Sequence, residues 1–490
     1  MESNRRISLA ELLDRLPQGA LEGDAARSVS AITADSRDAV PGALFVALAG
    51  EHTDGHRYVR DAIARGAAAV VVQDAGEIGD TGSAAVVRVG DSKRALSALA
   101  AAFYGDPSHA LDTVGVTGTN GKTTTTRMIA AILDHAGIGC GVIGTVGAQY
   151  ANRQWPLRNT TPLPPELHAV LAEMQAAGAK AAAMEVSSHA LALERVEDVR
   201  FFAAVLTNVT RDHLDFHQSP QAYRAAKRRL FTLSRRCILN ADDTCGAQWA
   251  AELLSEGRTV RTYGLHEGAT LRAHGLAVAA DGIAFNLDGR RFELQLSGRF
   301  NVYNALAAIA VARLMGVADE LSAEGLASLD RVPGRMERLR GGGLDVVVDY
   351  AHTPDALENA LRSLRETTAG ALAVVFGCGG DRDRGKRPEM GAVAAHLADR
   401  IYLTSDNPRG ETPRAIVDEI RAGIGTSGDN VVEELDRRRA IELAIAQARP
   451  GDVVLVAGKG HETYQIVGDR VLPFDDASVA RDALARLPAR

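Results

Sequence analysis

The chain has 490 residues, too many for a single hydrophobic core, and its length points to about three domains. Hydrophobic residues make up 46% and charged residues 24%, and a net charge of −7 with both signs scattered gives no electrostatic case for nucleic acid or an anionic membrane surface. Cys140, Cys237, Cys245 and Cys378 fall in no metal-ligand spacing, the opening Met-Glu-Ser-Asn-Arg-Arg-Ile lacks an apolar run, and no stretch has the length of a membrane span. Reduced thiols, a cytoplasmic location and no membrane insertion are therefore expected.

Residues 1–108 open with a helical pattern, Leu9, Leu12, Leu13 and Leu16, followed by short apolar runs at 43–48, 68–72 and 85–89. A helical pattern at 58–65 intervenes, so this reads as a small α/β domain. Phe103-Tyr-Gly-Asp-Pro107 marks its end. Next comes Val114-Gly-Val-Thr-Gly-Thr-Asn-Gly-Lys-Thr-Thr124, an apolar strand, a glycine-rich turn and a helix start. It reads as a phosphate-binding loop: glycines admit backbone N–H groups to phosphate oxygens, Lys122 reaches the terminal phosphates and Thr123 holds Mg²⁺. The generic pattern would place a glycine at Val116, so this is a variant.

Through residues 109–335 the theme repeats, an apolar strand ending in a polar cluster. Residues 179–184 lead into Glu185-Val-Ser-Ser-His189, 201–206 into Thr207-Asn-Val-Thr-Arg-Asp-His213, and 237–239 into Asn240-Ala-Asp-Asp243. Open parallel sheets bind ligands at strand carboxyl ends, so these clusters share one edge. Glu185 is the best-placed carboxylate for the metal, with His213 a second candidate. Residues 261–296 alternate like strands, with Asp281-Gly282 and Asp288-Gly289 as turns, and predict a β-ribbon. Val332-Pro-Gly-Arg-Met-Glu-Arg338 reads as a linker. Residues 336–490 show four more strands ending in polar clusters with helical patterns between, predicting a doubly wound, Rossmann-like domain. Its glycine-rich turn, Gly377-Cys-Gly-Gly380, is not G-x-G-x-x-G, which argues against a nicotinamide cofactor. Arg382, Arg387 and Arg409 at strand ends suit carboxylate or phosphate recognition. The fold class is thus α/β in three domains: small N-terminal, central P-loop parallel-sheet with a ribbon, and C-terminal.

Taken together, Gly118-Thr-Asn-Gly-Lys-Thr-Thr124, Glu185-Val-Ser-Ser-His189, Thr207–Asp215, the Asn301 and Asn304 segment, Gly334-Arg-Met-Glu337 and Asp349-Tyr-Ala-His352 resemble, in order, the motifs of the Mur ligases. These are ATP-dependent amide-forming enzymes of bacterial cell-wall precursor synthesis. Asp35-Ser-Arg37, Asn159-Thr-Thr-Pro162 and Asp406-Asn-Pro-Arg409 are similar to the branch that adds meso-diaminopimelate to UDP-N-acetylmuramoyl-L-alanyl-D-glutamate. The Arg409 guanidinium suits the distal carboxylate that lysine lacks.

By this resemblance Gly118, Thr119, Asn120, Gly121, Lys122, Thr123 and Thr124 bind ATP phosphates, and Asn301, Arg335 and Asp349 meet adenine, phosphate and ribose. Thr123 and Glu185 hold one Mg²⁺, while His213 and Lys227 serve a second, Lys227 matching a lysine that is carbamylated in the family. Ser36, His52, Asn159, Thr160, Thr161, Ser187 and Arg195 are implied contacts to the UDP substrate, with Leu193 standing where some relatives have a glutamine. Arg387, Asp406, Asn407, Pro408, Arg409, Gly458 and Glu462 are the implied diaminopimelate site, Glu462 suiting the distal ammonium. A monomer using ATP and Mg²⁺ is expected. Two rivals stay open: a folylpolyglutamate synthase-like ligase, opposed by Asp35-Ser-Arg37 and Asp406-Asn-Pro-Arg409, and a nucleotide-gated binding protein, opposed by Glu185, His213 and Lys227 together.

Overall fold

The computed structural model describes residues 5–16, 18–50, 53–73, 81–425 and 430–487. Its contacts divide the chain into two compact units, Met1–Gly115 with Ile138–Ala204 and Ala226–Arg235, and Val116–Gly137 with Val205–Ala225 and Arg236–Arg490.

Among its described residues the first unit contains a two-stranded antiparallel pair, Ile7–Ser8 with Ser28–Val29, and two larger sheets. Five strands run in the order Ala20–Glu22, Ala85–Arg88, Ala69–Val72, Ala43–Val46, Ala31–Thr33, the first antiparallel and the rest parallel. The three apolar runs seen in the sequence are its central strands, and Ala43–Val46 and Ala69–Val72 are buried throughout, as strands covered on both faces must be. The leading apolar pattern gives only a short helix, Leu9–Leu13, started by a capping box between Ser8 and Glu11. Helix Ser92–Tyr104, capped by Asp91 and closed by Gly105 at φ 77°, buries Leu96, Leu99 and Phe103 against the sheet. The second of these sheets runs Arg153–Trp155, Gly147–Tyr150, Cys140–Gly144, Ala181–Glu185.

In the second unit Arg236–Asn240, Thr259–Gly264 and Leu271–Arg272 are neighbours in that order. Here the structure corrects the ribbon. Thr259–Gly264 pairs parallel with Arg236–Asn240 and sinks Tyr263 into the core, so it extends the parallel sheet. Only His274–Ala279, Gly282–Leu287 and Arg290–Leu294 form the antiparallel ribbon. Asp288 and Gly289, at φ 48° and 82°, make the tight turn their dipeptide predicts.

A six-stranded sheet follows, ordered Glu337–Gly341, Leu344–Asp349, Val453–Ala457, Leu372–Phe376, Arg400–Leu403, Val431–Glu433, parallel apart from its first strand. Helices cover both faces: Leu357, Leu361, Met390, Val417 and Ile420 pack on one, and Ile441, Ile445, Val479 and Leu484 on the other. Each such side chain contributes ~1.5–3 kcal/mol when fully buried. The doubly wound domain is therefore present. Cys140, Cys237, Cys245 and Cys378 are all buried, and burial pushes the Cys378 thiol up to about 12. Among the described residues no helix is long and apolar enough to cross a membrane.

Candidate active site

In the second unit the strand ending at Thr117 turns through Gly118 and Gly121, at φ 153° and 85°, into helix Lys122–His135. A Cβ on Gly118 would overlap Thr207 Oγ1, and one on Gly121 would overlap Asn304 Oδ1, so the loop can close only with glycine there. Its outer wall is the Thr207–Thr210 segment: Thr119 N–H donates to Asn208 O (2.9 Å), Asn120 N–H to Asn208 Oδ1 (2.9 Å), and Thr210 N–H to Thr119 Oγ1 (2.9 Å). Lys122 Nζ donates to Gly118 O and Thr119 O at 2.9 and 2.8 Å, folded over the loop it springs from.

Asn301 and Asn304 sit on one turn of helix Phe300–Leu314 and brace this loop. Asn304 Oδ1 accepts from Thr125 Oγ1 (3.2 Å), Asn304 Nδ2 donates to Asn301 Oδ1 (2.9 Å), and Asn301 Nδ2 to Ser297 O (2.7 Å). Arg335 Nη2 donates to the hydroxyl of buried Thr123 (3.0 Å), and its guanidinium lies 4.4 Å from the Tyr350 ring centroid. Asp349 accepts from Met336 N–H (2.7 Å), and burial pushes its carboxyl up. His213 adopts φ 52° with Nε2 3.3 Å from Asp212 Oδ2. Burial alone would raise the Asp212 carboxyl, but His213, His352 and Lys386 hold it at about 2.

In the first unit Glu185 ends its strand almost wholly buried, and both its oxygens accept from Thr145, Oε1 from the N–H (2.9 Å) and Oε2 from the hydroxyl (3.0 Å). Thr145 Oγ1 reaches Thr160 Oγ1 (3.2 Å), and Thr161 Oγ1 donates to Glu185 O (2.9 Å) and accepts from Ser187 N–H (3.0 Å). Arg195 Nη1 donates to Thr161 O (3.0 Å). Five residues from the sequence reading, Glu185, Thr160, Thr161, Ser187 and Arg195, thus form one network. Thr145, its centre, carries no sequence signal. Lys227 is buried in the same unit. A cavity of about 1360 Å³ brings Ser36 and Asn159 together with Arg37, Tyr58, Tyr104 and Arg158. Asp35 caps the turn carrying Ser36, and its bond to Arg37 holds its carboxyl at about 2. His52 lies outside the described residues.

The remaining predicted residues gather at the carboxyl edge of the six-stranded sheet. Asn407 Nδ2 donates to Glu462 Oε2 (2.8 Å), and buried Lys459, which the sequence reading passed over, donates to Glu462 Oε2 (2.9 Å) and Asn407 Oδ1 (3.1 Å). A Cβ on Gly458 would crowd Asp406 Oδ2. Arg409 follows Pro408 at φ 50°, Nη1 donating to Gly380 O (2.9 Å). Arg387 is placed differently from the rest. It is wholly buried, with Nη1 and Nη2 bonded to Glu411 (2.9 and 2.7 Å), Glu419 (2.8 Å) and Gly379 O (3.2 Å), so it ties the loop after Phe376 to the loop carrying Arg409.

This tie has a pH signature. The Arg387 bond holds the Glu411 carboxyl at about 2, below its ordinary 4.5. A depressed folded-state value stabilises fully above 4.5 and is lost as pH falls toward 2. Urea titrations are expected to show wild type more stable than Glu411→Gln by ~1–2 kcal/mol at pH 7, the gap closing between pH ~4.5 and ~2. A gap independent of pH would contradict this.

Oxygen donors such as the Glu185 carboxylate and the Thr123 hydroxyl suit Mg²⁺, which takes one or two carboxylates plus substrate phosphates. Among the described residues no group of three His, Cys, Asp or Glu side chains comes together, as a metal cage would require.

The chain matches three family descriptions: "Mur ligase family, catalytic domain" over residues 28–104, "Mur ligase middle domain" over 116–312, and "Mur ligase, glutamate ligase domain" over 334–460. It is 43% identical to the UDP-N-acetylmuramoyl-L-alanyl-D-glutamate--2,6-diaminopimelate ligases of Syntrophomonas wolfei and Geobacillus thermodenitrificans, covering 98% of this chain and 99% of each relative. A solved structure of a ligase of the same name superposes with a TM-score of 0.68 at 33% identity, covering 98% of this chain and 99% of that one. The fold also matches MurF of Acinetobacter baumannii at TM-score 0.69 and 19% identity, over 98% of this chain and 99% of that one. With its phosphate loop, its paired asparagines and nearly its whole length matched, the chain belongs to the Mur ligase family of ATP-dependent, amide-forming ligases.

Proposed function

We propose that this ligase joins meso-diaminopimelate to UDP-N-acetylmuramoyl-L-alanyl-D-glutamate, in the cytoplasm and as a monomer, with ATP and Mg²⁺. The observation that carries the reading is the position of Arg409 and Glu462 at one sheet edge, a guanidinium and a carboxylate on adjoining loops, suited to a distal centre bearing both carboxylate and ammonium. The relatives that share this chain's full length bear that activity in their names. The domain boundaries we adopt are 1–108 for the UDP substrate, 109–335 for ATP and 336–490 for the amino acid.

A carboxylate and an amine do not condense unaided, so the D-glutamate carboxylate takes the γ-phosphoryl group of ATP and ADP leaves. The amine then attacks this acyl phosphate and inorganic phosphate departs. Lys122 and the loop N–H groups hold the phosphates, Arg335 offsets the repulsion between phosphate and carboxylate, and Asn301 and Asp349 seat the nucleoside. Thr123, Glu185, His213 and Lys227 are the proposed Mg²⁺ ligands, and bound Mg²⁺ supplies charge neutralisation at the transferred group. Ser36, His52, Asn159, Thr160, Thr161, Ser187 and Arg195 hold the UDP substrate. Arg387, Asp406, Asn407, Pro408, Arg409, Gly458 and Glu462 receive diaminopimelate, Arg387 also supporting their loop through Glu411.

Phosphate release measured with the UDP substrate and ATP should depend on added diaminopimelate. Release with lysine in its place would sink the specificity. For the second metal site, Lys227→Ala is expected to lose activity by about 100-fold or more, with partial recovery in short-chain carboxylic acids that stand in for a carbamate. Recovery with amines instead would contradict the assignment.

A further inference from the structure

The two loops of the amino-acid site, Ser405-Asp-Asn-Pro-Arg409 and Gly458-Lys-Gly-His-Glu462, follow strands Arg400–Leu403 and Val453–Ala457. Those strands are not neighbours, since Leu372–Phe376 lies between them, so no ladder joins them, although Arg409 is bridged to the segment after the second loop, its N–H donating to Ile466 O (3.2 Å) and its O accepting from Gly468 N–H (2.8 Å). At the mouth the loops meet through Asn407 and Glu462, groups that also face the substrate. Their base is joined elsewhere.

Arg437 begins helix Arg437–Gln447, and Asp476 begins helix Asp476–Ala485. Both side chains are wholly buried and paired by two bonds, Nε to Oδ1 (2.8 Å) and Nη2 to Oδ2 (2.7 Å). The remaining reach of the guanidinium goes to two carbonyls, Ser405 O from Nη1 (3.4 Å) and Ala457 O from Nη2 (3.0 Å). These are the residues immediately before Asp406 and Gly458. A buried ion pair is a poor device for stability alone, because removing both charges from water costs about what their attraction returns. A flat, rigid guanidinium spanning two non-adjacent strand ends is a good spacer.

We infer that Arg437, held by Asp476, is a positioning residue of the amino-acid subsite, fixing the separation of the loop bearing Arg409 from the loop bearing Glu462. This rests on the proposed reading that the amino acid binds at this edge. Burial works against the charge on Arg437, while Asp476, and beyond it Asp406 and Glu462, keep the guanidinium charged, so the spacer stays in place across the working pH range.

The double variant Arg437→Met with Asp476→Leu removes both charges together and strands neither. It is expected to melt as a folded protein, with the KM for diaminopimelate raised about tenfold or more and the KM for ATP and for the UDP substrate changed less than about twofold. Arg437→Lys, which keeps a charge opposite Asp476 but not the fork, should give a smaller rise confined to the same substrate, and it carries the test if the double variant fails to fold. Folded variants with an unchanged diaminopimelate KM, or with all three KM values rising together, would overturn the inference while leaving the substrate reading intact. A wild-type protein with no diaminopimelate-dependent phosphate release would overturn both.

Discussion

Gly118→Ala is expected to lower ATP-dependent phosphate release by about 100-fold or more in a chain that still folds. The position lies at φ 153°, and a Cβ there would overlap Thr207 Oγ1. Thr207 cannot yield freely. Its N–H donates to Thr117 O (3.0 Å) and its hydroxyl bonds Asn120 O, so any shift of Thr207 moves the loop as well. Displacing backbone donors by ~1 Å from where phosphate oxygens must sit is enough to cost about 100-fold. Gly137→Ala is the matching control. Gly137 also has positive φ, 76°, but a Cβ there meets nothing within 4 Å, so the substitution adds strain of ~1–3 kcal/mol to stability and leaves the rate unchanged. Phosphate release and a thermal melt on both variants decide the matter: near-normal turnover in Gly118→Ala would remove the loop from the mechanism.

The strands were legible because strands buried on both faces announce themselves as apolar runs, as at Ala69–Val72 and Val453–Ala457, and because ligand groups follow such strands in parallel sheets. At Thr259–Gly264 alternation describes a strand but says nothing about whether its partner runs parallel or antiparallel, so the ribbon begins only at His274. The phosphate loop was legible as a motif, yet its supports were not. Arg335 meets Thr123 across 212 residues and Asn120 donates to Asp355 across 235, contacts that no local periodicity encodes. Thr145 beneath Glu185 and Arg437 beneath the amino-acid loops are likewise ordinary letters until folding places them. Arg387 shows a further limit: an arginine after a strand reads as a ligand group from sequence, and only the structure shows that its Nη1 and Nη2 also bond Glu411 and Glu419.

Arg409 presents the same letter in a different setting, and Arg409→Lys is expected to raise the KM for diaminopimelate by about 10- to 150-fold, the equivalent of losing a charge-assisted bond worth ~1.5–3 kcal/mol. The KM for ATP should change by less than about twofold. Burial and the neighbouring Arg382 push the Arg409 guanidinium down from its usual range, but an arginine starts so high that it stays charged at neutral pH. Only Nη1 is committed, to Gly380 O, in the bonds the structure records for this side chain, which leaves a fork to present to a carboxylate. Its backbone is held at φ 50° by Arg409 N–H to Ile466 O (3.2 Å) and by Gly468 N–H to Arg409 O (2.8 Å), so the side chain is aimed by its loop. Lysine offers a point charge on a flexible stem in place of that fork. Because lysine as a substrate lacks the distal carboxylate, its KM should hardly respond to Arg409→Lys, and the preference for diaminopimelate should narrow by the same factor that its own KM rises. Steady-state kinetics with both amino acids measure this directly. Equal losses for diaminopimelate and ATP would instead place Arg409 in the framework of the domain and return the question of specificity to Asn407 and Glu462.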